Sequence, residues 1–184
     1  MSDVSNLWKG RAVRVLSAFF IALCMVSSAE AGDWWVFLGA GGGNGESVTG
    51  DVGLRRTFSP LYENDAMALS PLAEVSASVW RHDADDEIWS GGASVGLLLV
   101  FYREGYWRPY ASATVGGVVL SGDRFGTHDM GGRFQFRSKG VLGVQFGEDF
   151  RHSLQLDAAH ISNAGIYGSN SGFNVFGVSY GFRF

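Results

Sequence analysis

The sequence predicts an all-β fold, an eight-stranded antiparallel barrel that crosses a membrane with its strands, on three observations. After Ala31 the chain falls into segments of about ten residues in which apolar and polar side chains alternate, the dyad pattern of a strand with one face in lipid. Asp51, Arg55, Glu74, Arg137, Lys139 and Asp157 all lie on the faces opposite the apolar stripes, as a polar lumen requires. The last segment is apolar at Phe176, Val178, Tyr180, Phe182 and Phe184, and its aromatic end resembles the C-terminal signal of bacterial outer-membrane barrels. A soluble sandwich also alternates. It gives no reason, however, for tryptophans and tyrosines to gather at strand ends, as they do in interfacial girdles. A closed barrel pairs every backbone group without an edge in lipid. With eight strands its interior is filled by side chains and holds no pore.

The elements follow in order. The first, 33–42, is led by Trp34-Trp35. The second, 47–58, sets Val48, Val52 and Leu54 against Thr49, Asp51 and Arg55. The third, 68–81, carries Leu69, Ala73, Val75, Ala77 and Val79 opposite Ser70, Glu74, Ser76 and Ser78. The fourth, 87–102, places Trp89, Ala93, Val95, Leu97, Leu99 and Phe101 on one face. A tight turn at Arg103-Glu104-Gly105 leads to the fifth, 107–120, with Trp107, Ala111, Ala113, Val115 and Val119 against Tyr110, Ser112 and Thr114. A glycine-bearing stretch, 121–133, reads as a polar loop. The sixth, 134–146, sets Phe134, Phe136, Leu142, Val144 and Phe146 against Gln135, Arg137, Lys139 and Gln145. The seventh is 152–162 and the eighth 173–184. An even count puts both termini on one side, the periplasmic side, so the seventh strand runs outward.

Composition sets the outer bounds. The 184 residues suit one domain, and 27 glycines with 3 prolines suit strands joined by turns. Lys9, Arg11 and Arg14 precede an apolar run from Val15 to Val26, and Ala29-Glu30-Ala31 fits a small-x-small cleavage site. The expectation is a secretory signal peptide over 1–31 and a transmembrane barrel over 32–184. The lone cysteine, Cys24, sits inside that apolar run, where Leu23 and Met25-Val26 argue against lipidation. The mature chain then has no disulfide, thiolate site or cysteine nucleophile. The net charge of −4, without a basic stripe, gives no electrostatic basis for nucleic-acid binding. No cofactor or metal is expected. His82 and His128 stand beside Asp83, Asp85, Asp86 and Asp129 in loop-like regions and read as surface residues. The glycine-rich 39–43 has no helix after it to cradle a phosphate.

The chemistry-bearing feature is His160-Ile161-Ser162-Asn163-Ala164-Gly165. Residues i and i+2 of a strand share a face, so His160 and Ser162 share theirs with Leu154, Leu156 and Ala158. Polar side chains on a lipid face are costly and usually functional. A histidine within reach of a serine is what activates that weak nucleophile. His152 has the same parity but lies at the interfacial start of the strand, where a polar residue costs little.

The run from His160 to Gly165, with Gly172 and an aromatic-rich last strand following, resembles the lipid A 3-O-deacylase (PagL) family, from Phe134 onward. The resemblance implies an outer-membrane carboxylic ester hydrolase that removes the ester-linked 3-hydroxyacyl chain from the 3-position of lipid A. It matches Ser162 to the nucleophile, His160 to the general base, and Asn163 and Gly165 to the oxyanion hole. The family commonly carries a glutamate as third member, two residues after a glycine; here Gly172-Phe173-Asn174 puts Asn174 there. No acid follows Asp157, whose parity points it into the lumen. An asparagine carbonyl can orient a histidine but brings no charge to an imidazolium. The implied partner is lipid A or lipopolysaccharide of the outer leaflet of the bacterial outer membrane, and a homodimer is left open. The competing readings are a non-enzymatic barrel, adhesive or structural, and an esterase of other membrane lipid esters.

Overall fold

The computed structural model describes residues 33–43, 47–83 and 86–184. The signal-peptide expectation, with Cys24 and the 29–31 cleavage site, lies outside the described residues, as does Asp85 beside His82. Eight long strands follow one another: β1 (Asp33–Gly43), β2 (Ser47–Thr57), β3 (Met67–Asp83), β4 (Asp86–Phe101), β5 (Trp107–Leu120), β6 (Phe134–Phe146), β7 (His152–Ser162) and β8 (Phe173–Arg183). Each pairs antiparallel with the next, and β1 pairs with β8 from Trp35↔Arg183 to Gly43↔Val175, which closes the barrel. The strand boundaries agree with those read from alternation to within two residues.

Closure is what lets each strand bury one face and show the other to lipid. Along β3, Ala68, Ser70, Leu72, Glu74, Ser76, Ser78 and Trp80 are buried, whereas the intervening residues are half-buried or exposed. On β7, Ser153, Gln155 and Ile161 are buried and Leu154 and Leu156 exposed. The lumen is polar in its middle. The Glu74 carboxylate accepts from Arg55 Nη2 at 3.0 Å and Nε at 3.2 Å, receives Lys139 Nζ on its other oxygen, and has Arg137 Nη2 at 3.8 Å. Tyr110 Oη donates to Gln155 Oε1 at 2.7 Å, and Gln155 Nε2 donates to Asp157 at 2.6 Å. Charges kept out of water are tolerable only in such paired company.

The first and last described residues meet at one rim, where Phe184 N donates to Trp34 O at 3.1 Å and Arg183 pairs with Asp33. The far rim is closed by an apolar plug of Trp80, Ile88, Val118, Leu120, Phe125, Met130, Ile161 and Phe173. Phe173 stacks on Trp80 with centroids 5.1 Å apart. Here the structure corrects the polar-loop reading of 121–133. Arg124–Phe125 pairs with His128–Asp129 in a small hairpin, and Phe125 and Met130 are almost fully buried. Lone apolar residues among glycines carry no periodic signal, yet inward-facing Trp80 and Phe173 need a cover. His128 lies against Phe173, and His82 against Phe125, so both flank the plug rather than standing clear on the surface. A second addition is Tyr62–Glu63, which pairs with Ala68–Leu69 beside the terminal rim.

Candidate functional site

The site forms where β7 and β8 approach the far rim. The outward face of β7 presents Leu154, Leu156, Ala158, His160 and Ser162 in order, and that of β8 presents Asn174, Phe176 and Val178. Leu156, Phe176 and Val178 are about half exposed or more, which marks this as the lipid face. Register places His160 directly opposite Asn174, and His160 Nδ1 lies 2.8 Å from Asn174 Oδ1. A carbonyl oxygen only accepts, so in this contact Nδ1 is the donor, which leaves Nε2 of a neutral ring as the acceptor. That is the tautomer a general base requires. Asp157, one residue away in parity, faces inward, where Gln155 and Ser179 hold it.

Gly172, just ahead of β8, has φ 61, and a Cβ there would come within 3.3 Å of His160 Cε1. Both the left-handed backbone and the ring contact call for glycine at this position. Ser162 is the last residue of β7, and the chain leaves it through a tight turn. Ala164 in this turn adopts φ 52, a strained value for a non-glycine residue, and Gly165 φ 82.

The turn is braced from below by Asn163, whose side chain is fully buried. Asn163 Nδ2 donates to Met130 O at 2.9 Å and to Ser169 O at 2.5 Å, while its Oδ1 accepts the Gly165 N–H at 2.8 Å. The Asn163 N–H donates to Asn170 Oδ1 at 3.1 Å. The peptide donors of Asn163 and Gly165, the two positions read as an oxyanion hole, are thus engaged within the loop. The Ala164 N–H between them has no acceptor among the described residues. Asn170 and the Met130 carbonyl belong to this bracing, and nothing in the sequence pattern singled them out.

Below His160 the lipid face is hollow. The row His160–Asn174 continues across β6 and β5 as Ser138 and Val115; the next row down is Leu97, Ala113, Gly140, Ala158 and Phe176. Three adjacent small residues, Ala113, Gly140 and Ala158, form the floor of a groove of about 590 Å³ that has His160 and Asn174 at one end. Leu142 and Leu156 stand in the row below that floor and project into lipid. A Cβ on Gly140 would meet nothing within 4 Å, so packing does not demand a glycine there. The groove joins five strands, so single-strand periodicity could not disclose it.

A closed barrel with a polar histidine and asparagine at the upper end of a lipid-facing groove, and a serine next along the same strand face, defines a membrane barrel whose candidate site is directed at the bilayer rather than at the lumen. The family model described as lipid A 3-O-deacylase (PagL) matches residues 47–183. The chain therefore belongs to that family of outer-membrane carboxylic ester hydrolases, which sets it apart from the adhesive or structural barrels of the competing reading. Among solved structures it is similar to the crystal structure of the outer membrane enzyme PagL, at 20% identity and a TM-score of 0.73, covering 80% of this chain and 98% of that one. It is also similar to the crystal structure of Neisserial surface protein A, at 11% identity and a TM-score of 0.55, covering 84% of this chain and all of the other. At such identities both likenesses are of fold. No curated protein matches the chain significantly in sequence.

Proposed function

We propose that this protein is a serine esterase that removes the 3-O-linked 3-hydroxyacyl chain from lipid A in the outer leaflet. The observation that carries the reading is the 2.8 Å contact of His160 Nδ1 with Asn174 Oδ1 on the lipid face, two residues from Ser162. With Nδ1–H so held, His160 Nε2 takes the proton of Ser162 Oγ as that oxygen attacks the ester carbonyl carbon. The tetrahedral intermediate expels the sugar 3-oxygen, which takes the proton back from Nε2. A water molecule, deprotonated by the same nitrogen, then attacks the acyl-serine; the Ser162 Oγ–acyl bond breaks, Oγ takes the proton back from Nε2, and the 3-hydroxy fatty acid is released.

The turn Asn163–Ala164–Gly165 serves as the oxyanion hole. Asn163 and Gly165 frame it through their mutual hydrogen bond, and the Ala164 N–H is the peptide donor of the turn left for the developing charge. Asn174 acts as an orienting residue in place of the family's glutamate. It holds the tautomer and stabilises the imidazolium through a dipole rather than a charge. The acyl chain lies in the groove floored by Ala113, Gly140 and Ala158, with the sugar at the headgroup level of the far rim.

The test is mass spectrometry of purified lipid A incubated with wild type or Ser162→Ala in the same detergent. Loss of one 3-hydroxyacyl mass with wild type alone supports the reading. Release of a chain from another position, or from phospholipid only, replaces the substrate. Equal release by Ser162→Ala removes the nucleophile.

A further inference from the structure

Ser138 is the one hydroxyl-bearing residue on the outward face of β6, which otherwise carries hydrocarbon side chains and Gly140. It is outward-facing and exposed on β6, and pairs across to Val115 on β5 and to His160 on β7. It also lines the groove beneath the site. Its position is peculiar in one respect. His160 leans away from it, toward β8, with Nδ1 on Asn174 and Cε1 beside Gly172. The lane between β6 and β7 is thereby left open, and its β6 edge is made, descending from the rim, by Phe136, Ser138 and Gly140. Phe136 pairs with Ser162, so Ser138 lies one outward-facing residue further down the lane from the serine. That step is about 6.6 Å along the strand, at about 3.3 Å per residue.

Resting on the deacylase reading above, we infer that Ser138 is a specificity-determining residue: its hydroxyl hydrogen-bonds the hydroxyl on the third carbon of the acyl chain being removed. An ester carbonyl held at Ser162 sends its chain down this lane. The third carbon lies two bonds beyond the carbonyl carbon, so its hydroxyl spans the interval between the Ser162 and Ser138 rows, leaving a hydrogen bond to close it. A serine hydroxyl both donates and accepts, which suits a partner that does the same. In its row Ser138 stands between Val115 and His160, whose Nδ1 is taken by Asn174, with Gly140 next below on its own outward face, so it finds few polar partners in the groove. A chain lacking the hydroxyl leaves it unpaired, and discrimination by such a group exceeds that available from methylenes in an apolar slot.

Two synthetic acylated glucosamine phosphates serve as substrates, identical except that the 3-O-acyl chain bears or lacks a hydroxyl at its third carbon. The ratio of kcat/KM for the hydroxylated over the deoxy substrate is measured for wild type, Ser138→Ala and Ser138→Thr. The expected ratio is about 10 for wild type, the factor a neutral hydrogen bond of roughly 1.4 kcal/mol supplies. It should fall to near 1 in Ser138→Ala and be largely restored in Ser138→Thr. An unchanged ratio in Ser138→Ala overturns the assignment while leaving the deacylase reading intact. A wild-type protein that cleaves neither substrate but cleaves other lipid esters overturns the deacylase reading, and this assignment with it.

Discussion

Replacing Asn174 separates orientation from charge at the site. In Asn174→Ala the Nδ1–H of His160 loses the acceptor now 2.8 Å away. A hydrogen bond to a group that becomes charged is worth about 1.5–3 kcal/mol, so turnover should drop about 10- to 100-fold. In Asn174→Glu a carboxylate faces the imidazolium that forms as Ser162 attacks. At about 4 Å and an effective dielectric near 20 that attraction approaches 4 kcal/mol, against several kcal/mol for moving the carboxylate out of water. Asn174 is only partly buried and stands near the far rim, so the penalty is the smaller term. A net gain of about 1 kcal/mol, roughly fivefold in rate, is expected. The assay is the initial rate of deacylation for the three proteins in one detergent, with heat-modifiable gel mobility reporting folding. Equal rates would refute the reasoning and make the 2.8 Å contact incidental.

Three further outcomes follow from the geometry. Glu74→Gln leaves Arg55, Lys139 and Arg137 facing one another in the lumen, and should destabilise the barrel by about 3 kcal/mol, read as a lower urea midpoint by tryptophan fluorescence. Gly140→Leu meets open space, so the barrel should keep its stability, while the filled groove floor should cut kcat/KM more for long acyl chains than for short ones; a uniform loss across chain lengths would remove the groove from substrate binding. Gly172→Ala forces a left-handed alanine, costing about 1–2 kcal/mol, and crowds His160 Cε1 at 3.3 Å, so kcat should fall more than thermal stability explains.

Much of this was legible because a strand's side-chain period is two. Once alternation over 152–162 and 173–184 was read, parity alone put His160, Ser162 and Asn174 on the lipid side and Asp157 in the lumen, where the structure has them. The same parity placed Arg55, Glu74, Arg137 and Lys139 inside, though not that Glu74 would be the common partner of the three cations. What stayed hidden depends on register between strands or on irregular backbone. Ser138 looks like any small residue until pairing sets it beside His160. The groove exists because Ala113, Gly140 and Ala158 fall in one row on three strands. The plugging role of Phe125 and Met130 and the inward turn of Asn163 belong to loops, whose side-chain directions no periodicity fixes.

The central claim is that Ser162 is a nucleophile activated by His160 at the lipid face. A fluorophosphonate carrying a long alkyl tail tests it directly, since an activated serine displaces fluoride and keeps the phosphonyl group. Mass spectrometry of the labelled, digested protein should find the adduct on Ser162, with labelling lost in Ser162→Ala and strongly slowed in His160→Ala. An adduct on another residue, or unabated deacylation by a protein that the probe does not label, would contradict the account.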